Sequence, residues 1–123
     1  MKMYEALANV AEVLNRPHLE PHVLDFQTQR YDSLVKLLPS GSGFDNGTEF
    51  ISIRSGTNRL VFRTAFHHTD EHGSYTGWSQ HDVIVTASLS YGFEIRVTGK
   101  DRNDIKEYIA EVFQNFLHEE APW

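Results

Sequence analysis

Hydrophobic residues near the start of the chain recur at the period of an α-helix. The pattern predicts a first helix over about residues 2–16, ended by Pro17, and a second helix that ends at Leu38, before Pro39. Whether 26–31 is helical or extended stays open, and Asp32 or the residues just before it are the candidate caps. The residues expected on the buried faces are Tyr4, Leu7, Ala11 and Leu14 in the first helix and Tyr31, Leu34, Val35 and Leu38 in the second.

The same period returns at the other end of the chain with a wider and more aromatic stripe. Asp101 and Asn103 follow Gly99 and are the candidate N-caps of this last helix. Its expected buried residues are Ile105, Tyr108, Ile109, Val112, Phe113, Phe116 and Leu117. A stripe of this size is expected to cover the apolar face of a sheet.

Between the helical ends, the period changes to two. Strands are predicted over 50–54, 59–68, 83–89 and 91–97, and a loop is predicted over 69–79. Apolar residues occupy one face of these strands and polar residues the other, which is typical of an antiparallel sheet with one packed side. The expected apolar positions are Leu60, Phe62, Phe66, Val83, Val85, Ala87, Leu89, Tyr91, Phe93, Ile95 and Val97. A turn at 55–58 joins the first two strands, so the prediction is one α+β domain over 1–123.

The composition of the chain excludes several kinds of site and several classes of protein. The chain has 123 residues, a formal net charge of −6 and no cysteine, which excludes disulfides, thiolate metal sites and a cysteine nucleophile. The acidic balance argues against general nucleic-acid binding. No apolar run is long enough for a membrane helix, and no signal-peptide core is present, so a cytoplasmic location without membrane contact is expected.

Four histidines and three carboxylates gather around the predicted 69–79 loop, namely His67, His68, His72, His81, Asp70, Glu71 and Asp82. Such residues suit a transition metal, and a metal-dependent enzyme using His67, His72 and His81 is one alternative. The other interpretation is a polar hairpin tip. Because His67 and His68 are adjacent on a strand, they are expected to point to opposite faces. We therefore expect no bound metal and no other cofactor.

Cationic and aromatic residues suggest a ligand site. The candidate ligand-binding residues are Arg63, Arg96, Lys100, Arg102, Tyr75 and Trp78. Arginines and the N-terminus of the last helix suit a phosphate, and the aromatic rings suit a nucleobase. The alternatives are cross-strand ion pairs for the arginines and a core-filling role for Trp78. The small residues of 38–48 either cradle a phosphate or only connect helix to strand.

Several blocks of the sequence resemble a family of small uncharacterised proteins carried by bacteriophages, prophages and plasmids. These blocks cover 38–45, 66–68, 75–78, His81 and 99–106, and the resemblance spans about 34–117. Small accessory proteins of mobile elements often disarm host defence, either by sequestering a nucleotide immune signal, as sponge proteins do, or by docking on a defence protein. The resemblance implies a role of this kind.

The sequence favours the first of these roles. Acidic residues are scattered rather than concentrated in the dense stripe that a DNA mimic needs, and the chain offers arginines for phosphate and aromatic rings for bases. The prediction is a non-catalytic protein of the host bacterial cytoplasm that sequesters a small anionic, nucleotide-derived ligand. The alternatives are an inhibitor of a host defence protein and the metal-dependent enzyme. A homo-oligomer is expected, because Val61, Ala65 and Ile84 lie on the second face of the sheet.

Overall fold

The chain folds into three helices and one four-stranded sheet. The computed structural model describes residues 1–16, 18–40, 44, 47–54, 58–88 and 91–123. The helices are α1 (Met3–Leu14), α2 (Pro21–Val35) and α3 (Asn103–His118), and the strands are β1 (Thr48–Ile53), β2 (Arg59–Thr69), β3 (Tyr75–Ser88) and β4 (Gly92–Val97). The predicted α+β class, with two N-terminal helices and one C-terminal helix, is confirmed.

The sheet has the order β1-β2-β3-β4, and every neighbouring pair is antiparallel. Its inner face is fully buried at Leu60, Phe62, Val83 and Val85. The α3 helix packs on this face as predicted, with the Phe113 ring centroid 5.8 Å from that of Phe62. The α1 helix shares the same core, since its buried residues Met3, Ala6, Leu7, Ala8, Val10 and Ala11 belong to one cluster with those of the sheet.

Several predicted helix ends are wrong. The α1 helix is shorter than predicted at both ends. The α2 helix starts at Pro21 with Glu20 as its N-cap residue, so 26–31 is helical and Asp32 lies inside the helix. Proline suits the first position of a helix because the N–H it lacks would have no partner there. The helix ends at Val35 rather than at Leu38.

The largest departure concerns the predicted loop over 69–79, which is wrong. The β2–β3 ladder continues through the pairs His67↔Trp78 and His68↔Gly77, so β3 already begins at Tyr75. A tight turn replaces the long loop, because the Asp70 carboxylate accepts hydrogen bonds from the backbone N–H groups of His72 (2.8 Å) and Ser74 (2.9 Å).

Two further expectations about individual residues are corrected. Tyr91 precedes β4 and is 94% exposed, so its predicted place on the apolar face is wrong. The N-cap residue of α3 is Arg102, not Asp101 or Asn103. Three predictions lie outside the described residues: the role of Pro17 in ending the first helix, the turn around 55–57 and the burial of Leu89. The same holds for most of the proposed phosphate-cradling stretch, at 41–43 and 45–46.

Candidate functional site

Four polar side chains meet at one end of the core, where β2, β3 and the start of α3 come together. We call this group the His–Ser–Asp cluster, and it consists of His68, Ser79, His81 and Asp101. His68 comes from β2, Ser79 and His81 come from β3, and Asp101 immediately precedes the N-cap residue of α3. Ser79 and His81 share the inner face of β3 with Val83 and Val85, because residues two apart on a strand point the same way.

The Ser79 hydroxyl is the centre of the cluster. Its Oγ lies 2.7 Å from Asp101 Oδ2, 2.7 Å from His81 Nε2 and 2.8 Å from His68 Nε2. Asp101 Oδ2 is also 3.0 Å from His68 Nε2 and 3.3 Å from His81 Nε2. Three polar side chains therefore surround one hydroxyl at hydrogen-bonding distance.

The partners that can only accept a hydrogen bond show where hydrogens lie in the cluster. The Thr98 carbonyl lies 2.9 Å from His81 Nδ1 and can only accept, so Nδ1 carries a hydrogen. Ser79 donates its single hydrogen to Asp101. Asp101 Oδ2 also accepts from His68 Nε2 over 3.0 Å, so this nitrogen carries a hydrogen as well. The whole cluster is satisfied in this arrangement.

Asp101 has the ionised form that this bonding requires. Burial acts to raise the pKa of its carboxyl group, but hydrogen bonds from Ser79 and from the Arg102 backbone N–H, together with the fields of His68 and His81, hold that pKa below its ordinary value. The Arg102 N–H donates to Asp101 Oδ1 over 2.8 Å. Because Arg102 is the N-cap residue of α3, the cluster ties the start of this helix to the sheet.

Gly99 makes the close packing of the cluster possible. A Cβ atom on this residue would lie 2.7 Å from His81 Nδ1 and 2.8 Å from the Gln80 carbonyl oxygen, and its φ of +110° disfavours other residue types. The chain between β4 and α3 can therefore pass directly over the His81 ring only because residue 99 is glycine.

A cleft of about 330 Å³ opens beside the cluster. Its lining consists of Phe66, His67, His68, Thr69, Arg102, Ile105 and Tyr108. The cleft lies next to the part of β2 that follows Thr64, where pairing with β1 stops at the pair Thr48↔Thr64. It combines a guanidinium group, an imidazole ring of the cluster, the N-terminus of α3 and two aromatic rings, Phe66 and Tyr108, whose centroids are 5.8 Å apart.

The predicted ligand-binding residues fall into two groups. Arg102 lines the cleft, and the exposed Lys100 precedes it in the chain. Arg63 and Arg96 lie on the outer face of the sheet and line two other depressions, of about 260 and 220 Å³. Arg63 Nε is 3.0 Å from Asp82 Oδ1, which confirms the cross-strand alternative for this residue. The sheet separates Arg63 and Arg96 from the cleft of Arg102.

Tyr75 and Trp78 are 61% and 57% exposed near the β2–β3 turn. The Tyr75 ring contacts His67 at a centroid distance of 5.4 Å. The core-filling alternative for Trp78 is wrong, since β3 turns this residue to the outer face, opposite His67. Neither ring lines the cleft, where Tyr108 and Phe66 take the position expected for a stacking surface.

The histidines of the metal alternative do not converge. His81 is buried in the cluster, His67 contacts Tyr75, and His72 is exposed at the β2–β3 turn, 3.7 Å from Glu71. The expected divergence of His67 and His68 to opposite faces is confirmed by their different partners, Tyr75 and Ser79. Within the described ranges, no group of three or more histidine and carboxylate side chains has the geometry to hold a metal ion.

Sequence reasoning missed Ser79 and Asp101 and did not single out His68 and His81 as a pair. One signal was available: the positions of Ser79 and His81 continue the apolar alternation of Val83, Val85 and Ala87. Two polar residues on the buried side of a strand point to an internal hydrogen-bonded group. Asp101, in contrast, comes near them only through the tertiary fold.

No protein-family model, curated protein or solved structure matches this chain. The resemblance to phage and plasmid proteins therefore stays a prediction. Among the described residues, no helix is both long and apolar enough to cross a membrane.

Proposed function

We propose that the protein binds a small anionic, nucleotide-like ligand in the cleft at the start of α3 and sequesters it without transforming it. In the setting implied by the phage resemblance, the ligand is a nucleotide signal of host defence. The observation that carries the proposal is the placement of Arg102 and His68 on the same cleft as two aromatic rings.

Each part of such a ligand has a matching group in the cleft. The Arg102 side chain is 74% exposed, and its ion-pair partner is the exposed Asp104, with Oδ1 at 3.3 Å from Arg102 Nε, which an anion can replace. Its planar fork suits two oxygens of a phosphate. Tyr108 is 41% exposed and offers a ring on which a base can stack. The cleft volume of about 330 Å³ is sufficient for a small ligand.

A binding role without catalysis agrees with the bonding of the only serine in the cluster. The Ser79 hydroxyl is enclosed by Asp101, His81 and His68 at 2.7–2.8 Å and does not line the cleft, so it is not presented to a ligand there. The cluster is suited to hold the cleft in shape, because all of its hydrogen bonds are internal to the fold.

The test is calorimetric titration of cyclic nucleotides and ADP-ribose variants into the wild-type protein, with mass spectrometry of the recovered ligand. Charge-assisted contacts contribute about 1.5–3 kcal/mol, so Arg102→Ala is expected to weaken binding roughly tenfold to a hundredfold. Arg63→Ala is the matched control, because it removes an arginine from the opposite face of the sheet and should leave the affinity unchanged.

Three results would contradict this proposal. Wild-type protein that binds no member of the panel would remove the sequestering function. Equal losses in Arg102→Ala and Arg63→Ala would place the site elsewhere. Recovery of a chemically altered ligand would show an enzyme.

The exposure of Tyr75 and Trp78 favours a second candidate function, the docking of a host defence protein. Large aromatic side chains are enriched at the centres of protein interfaces, and these two are exposed on the outer face near the β2–β3 turn. Under this alternative, Trp78→Ala abolishes binding to the host protein, whereas Arg102→Ala leaves that binding intact.

A further inference from the structure

His68 is the one residue shared by the His–Ser–Asp cluster and the cleft. Its Nε2 faces the cluster and lies 2.8 Å from Ser79 Oγ and 3.0 Å from Asp101 Oδ2. Its side chain remains 25% exposed. Among the described residues, the other ring nitrogen, Nδ1, makes no hydrogen bond.

The bonding of Nε2 determines what Nδ1 can do. Because Nε2 carries the hydrogen that goes to Ser79 and Asp101, Nδ1 of the neutral ring is an acceptor. When Nδ1 takes up a proton it becomes a donor, and the positive charge of the ring is already faced by the Asp101 carboxylate. A histidine that is held by a carboxylate on one side and open on the other is suited to this change.

The groups that surround His68 belong to β2, β3, α3 and the segment just before α3. The charged or titratable groups are Asp101 and Arg102 before α3, Tyr108 on α3, His67 on β2 and His81 on β3. Phe66 lies against the imidazole at a centroid distance of 5.4 Å. Asp101 is the only carboxylate in direct contact with the ring within the described part of the chain.

We propose that His68 is a specificity-determining residue of the cleft, which takes up one proton on Nδ1 when an anionic ligand binds and donates it to a phosphate oxygen. The ligand class is then an oxyanion, and binding strengthens as the pH falls. A neutral nucleoside gains nothing from this proton. The inference rests on the proposed function, since it concerns the same cleft.

The probe is cyclic AMP, whose phosphodiester stays singly ionised throughout the range tested, so that any proton taken up belongs to the protein. Calorimetry in buffers of different ionisation enthalpy should give an uptake of about one proton per bound ligand near neutral pH. The affinity should rise roughly tenfold or more between about pH 8 and about pH 5.5. Adenosine is the neutral comparison and should show neither effect.

Three variants locate the proton. His68→Gln retains an amide donor at the position of Nε2 and should abolish both the uptake and the pH dependence. His72→Gln, at the exposed β2–β3 turn, is the control and should retain both. His67→Gln addresses the neighbouring imidazole of the cleft and should also retain the uptake. Ring-proton NMR of the wild-type protein gives an independent measurement, since the His68 signals should move toward those of the charged ring when cyclic AMP is added.

The outcomes separate this inference from the proposed function. Binding of cyclic AMP without proton uptake would overturn the role of His68 and leave the binding function standing. Uptake that persists in His68→Gln, or that disappears in His67→Gln, would also overturn it. Wild-type protein that binds none of the anionic panel at any pH would overturn both.

Discussion

At the residue scale, Gly99 is the position where a single added carbon has the largest predictable consequence. Gly99→Ala combines an unfavourable positive φ with a Cβ placed 2.7 Å from His81 Nδ1. Strain and overpacking together are expected to lower the free energy of unfolding by about 3 kcal/mol. Urea unfolding at neutral pH measures the change.

Gly92→Ala is the matched control for this prediction. Gly92 also has a positive φ, of 87°, but nothing lies within 4 Å of its added Cβ. The free energy of unfolding of the Gly92→Ala variant should therefore fall only by the cost of the backbone strain, about 1–2 kcal/mol. Equal losses in the two variants would show that the His81 ring does not impose the glycine at position 99.

At the scale of elements, Asp101 is the residue that anchors α3 to the sheet. Asp101→Asn removes the ionic character of the bonds to Ser79, His68 and His81 and should lower the free energy of unfolding by roughly 1–3 kcal/mol at pH 7. Asp104→Asn, on the same segment but with a side chain that is 68% exposed, should change it by less than about 0.5 kcal/mol.

The difference in the free energy of unfolding between wild-type and Asp101→Asn protein should depend on pH in a definite direction. The pKa of Asp101 is lower in the folded protein than its ordinary value of 3.8. Its stabilising effect is therefore complete at neutral pH and is lost as the pH falls below that value through the folded pKa. The gap between wild-type and Asp101→Asn protein should close in acid, as measured by urea unfolding across this range. A gap of constant size would show that the carboxylate charge is not what anchors the helix.

The same scale shows which elements the sequence could predict. The α3 stripe and the alternation of β2 and β4 are strong local signals, so these elements were placed correctly to within a few residues. The start of β3 was missed because Ser79 and His81 put polar groups on the buried side of the strand, where the pattern predicts apolar ones. The start of α2 was missed because its first half has a weak apolar stripe, with Leu24 and Phe26 both exposed.

The candidate site was less predictable than the fold, for a physical reason. Arg102 could be chosen because helix N-termini and arginines suit anions wherever they occur. The prediction also grouped Arg63 and Arg96 with Arg102. These two residues lie on the other face of the sheet, because successive residues of a strand point to opposite faces. His68 and Asp101 are distant in sequence and share a hydrogen-bonded cluster only after α3 has packed on the sheet.

At the scale of the whole molecule, the two faces of the sheet differ in what covers them. The helices bury the inner face, whereas the outer face carries Val61, Ala65 and Ile84, all half-buried, between charged side chains. Its charges include both signs, with Arg63 and Arg96 beside Glu94 and Asp82. A surface of mixed charge and moderate apolarity can pair with a second copy of itself about a two-fold axis.

The predicted homo-oligomer should therefore form through this outer face. Light scattering at micromolar concentration should return twice the chain mass of 14.1 kDa, or a multiple of it. Ile84→Lys places a charge at the centre of the face and should shift the protein to the monomer, whereas Gln114→Lys, on the exposed side of α3, should not. Because the cleft of Arg102 and His68 lies on the other side of the sheet, the Ile84→Lys monomer should still bind the anionic ligand. A wild-type mass near 14 kDa would contradict the oligomer, and loss of binding in the monomer would show that the cleft needs a second copy to be complete.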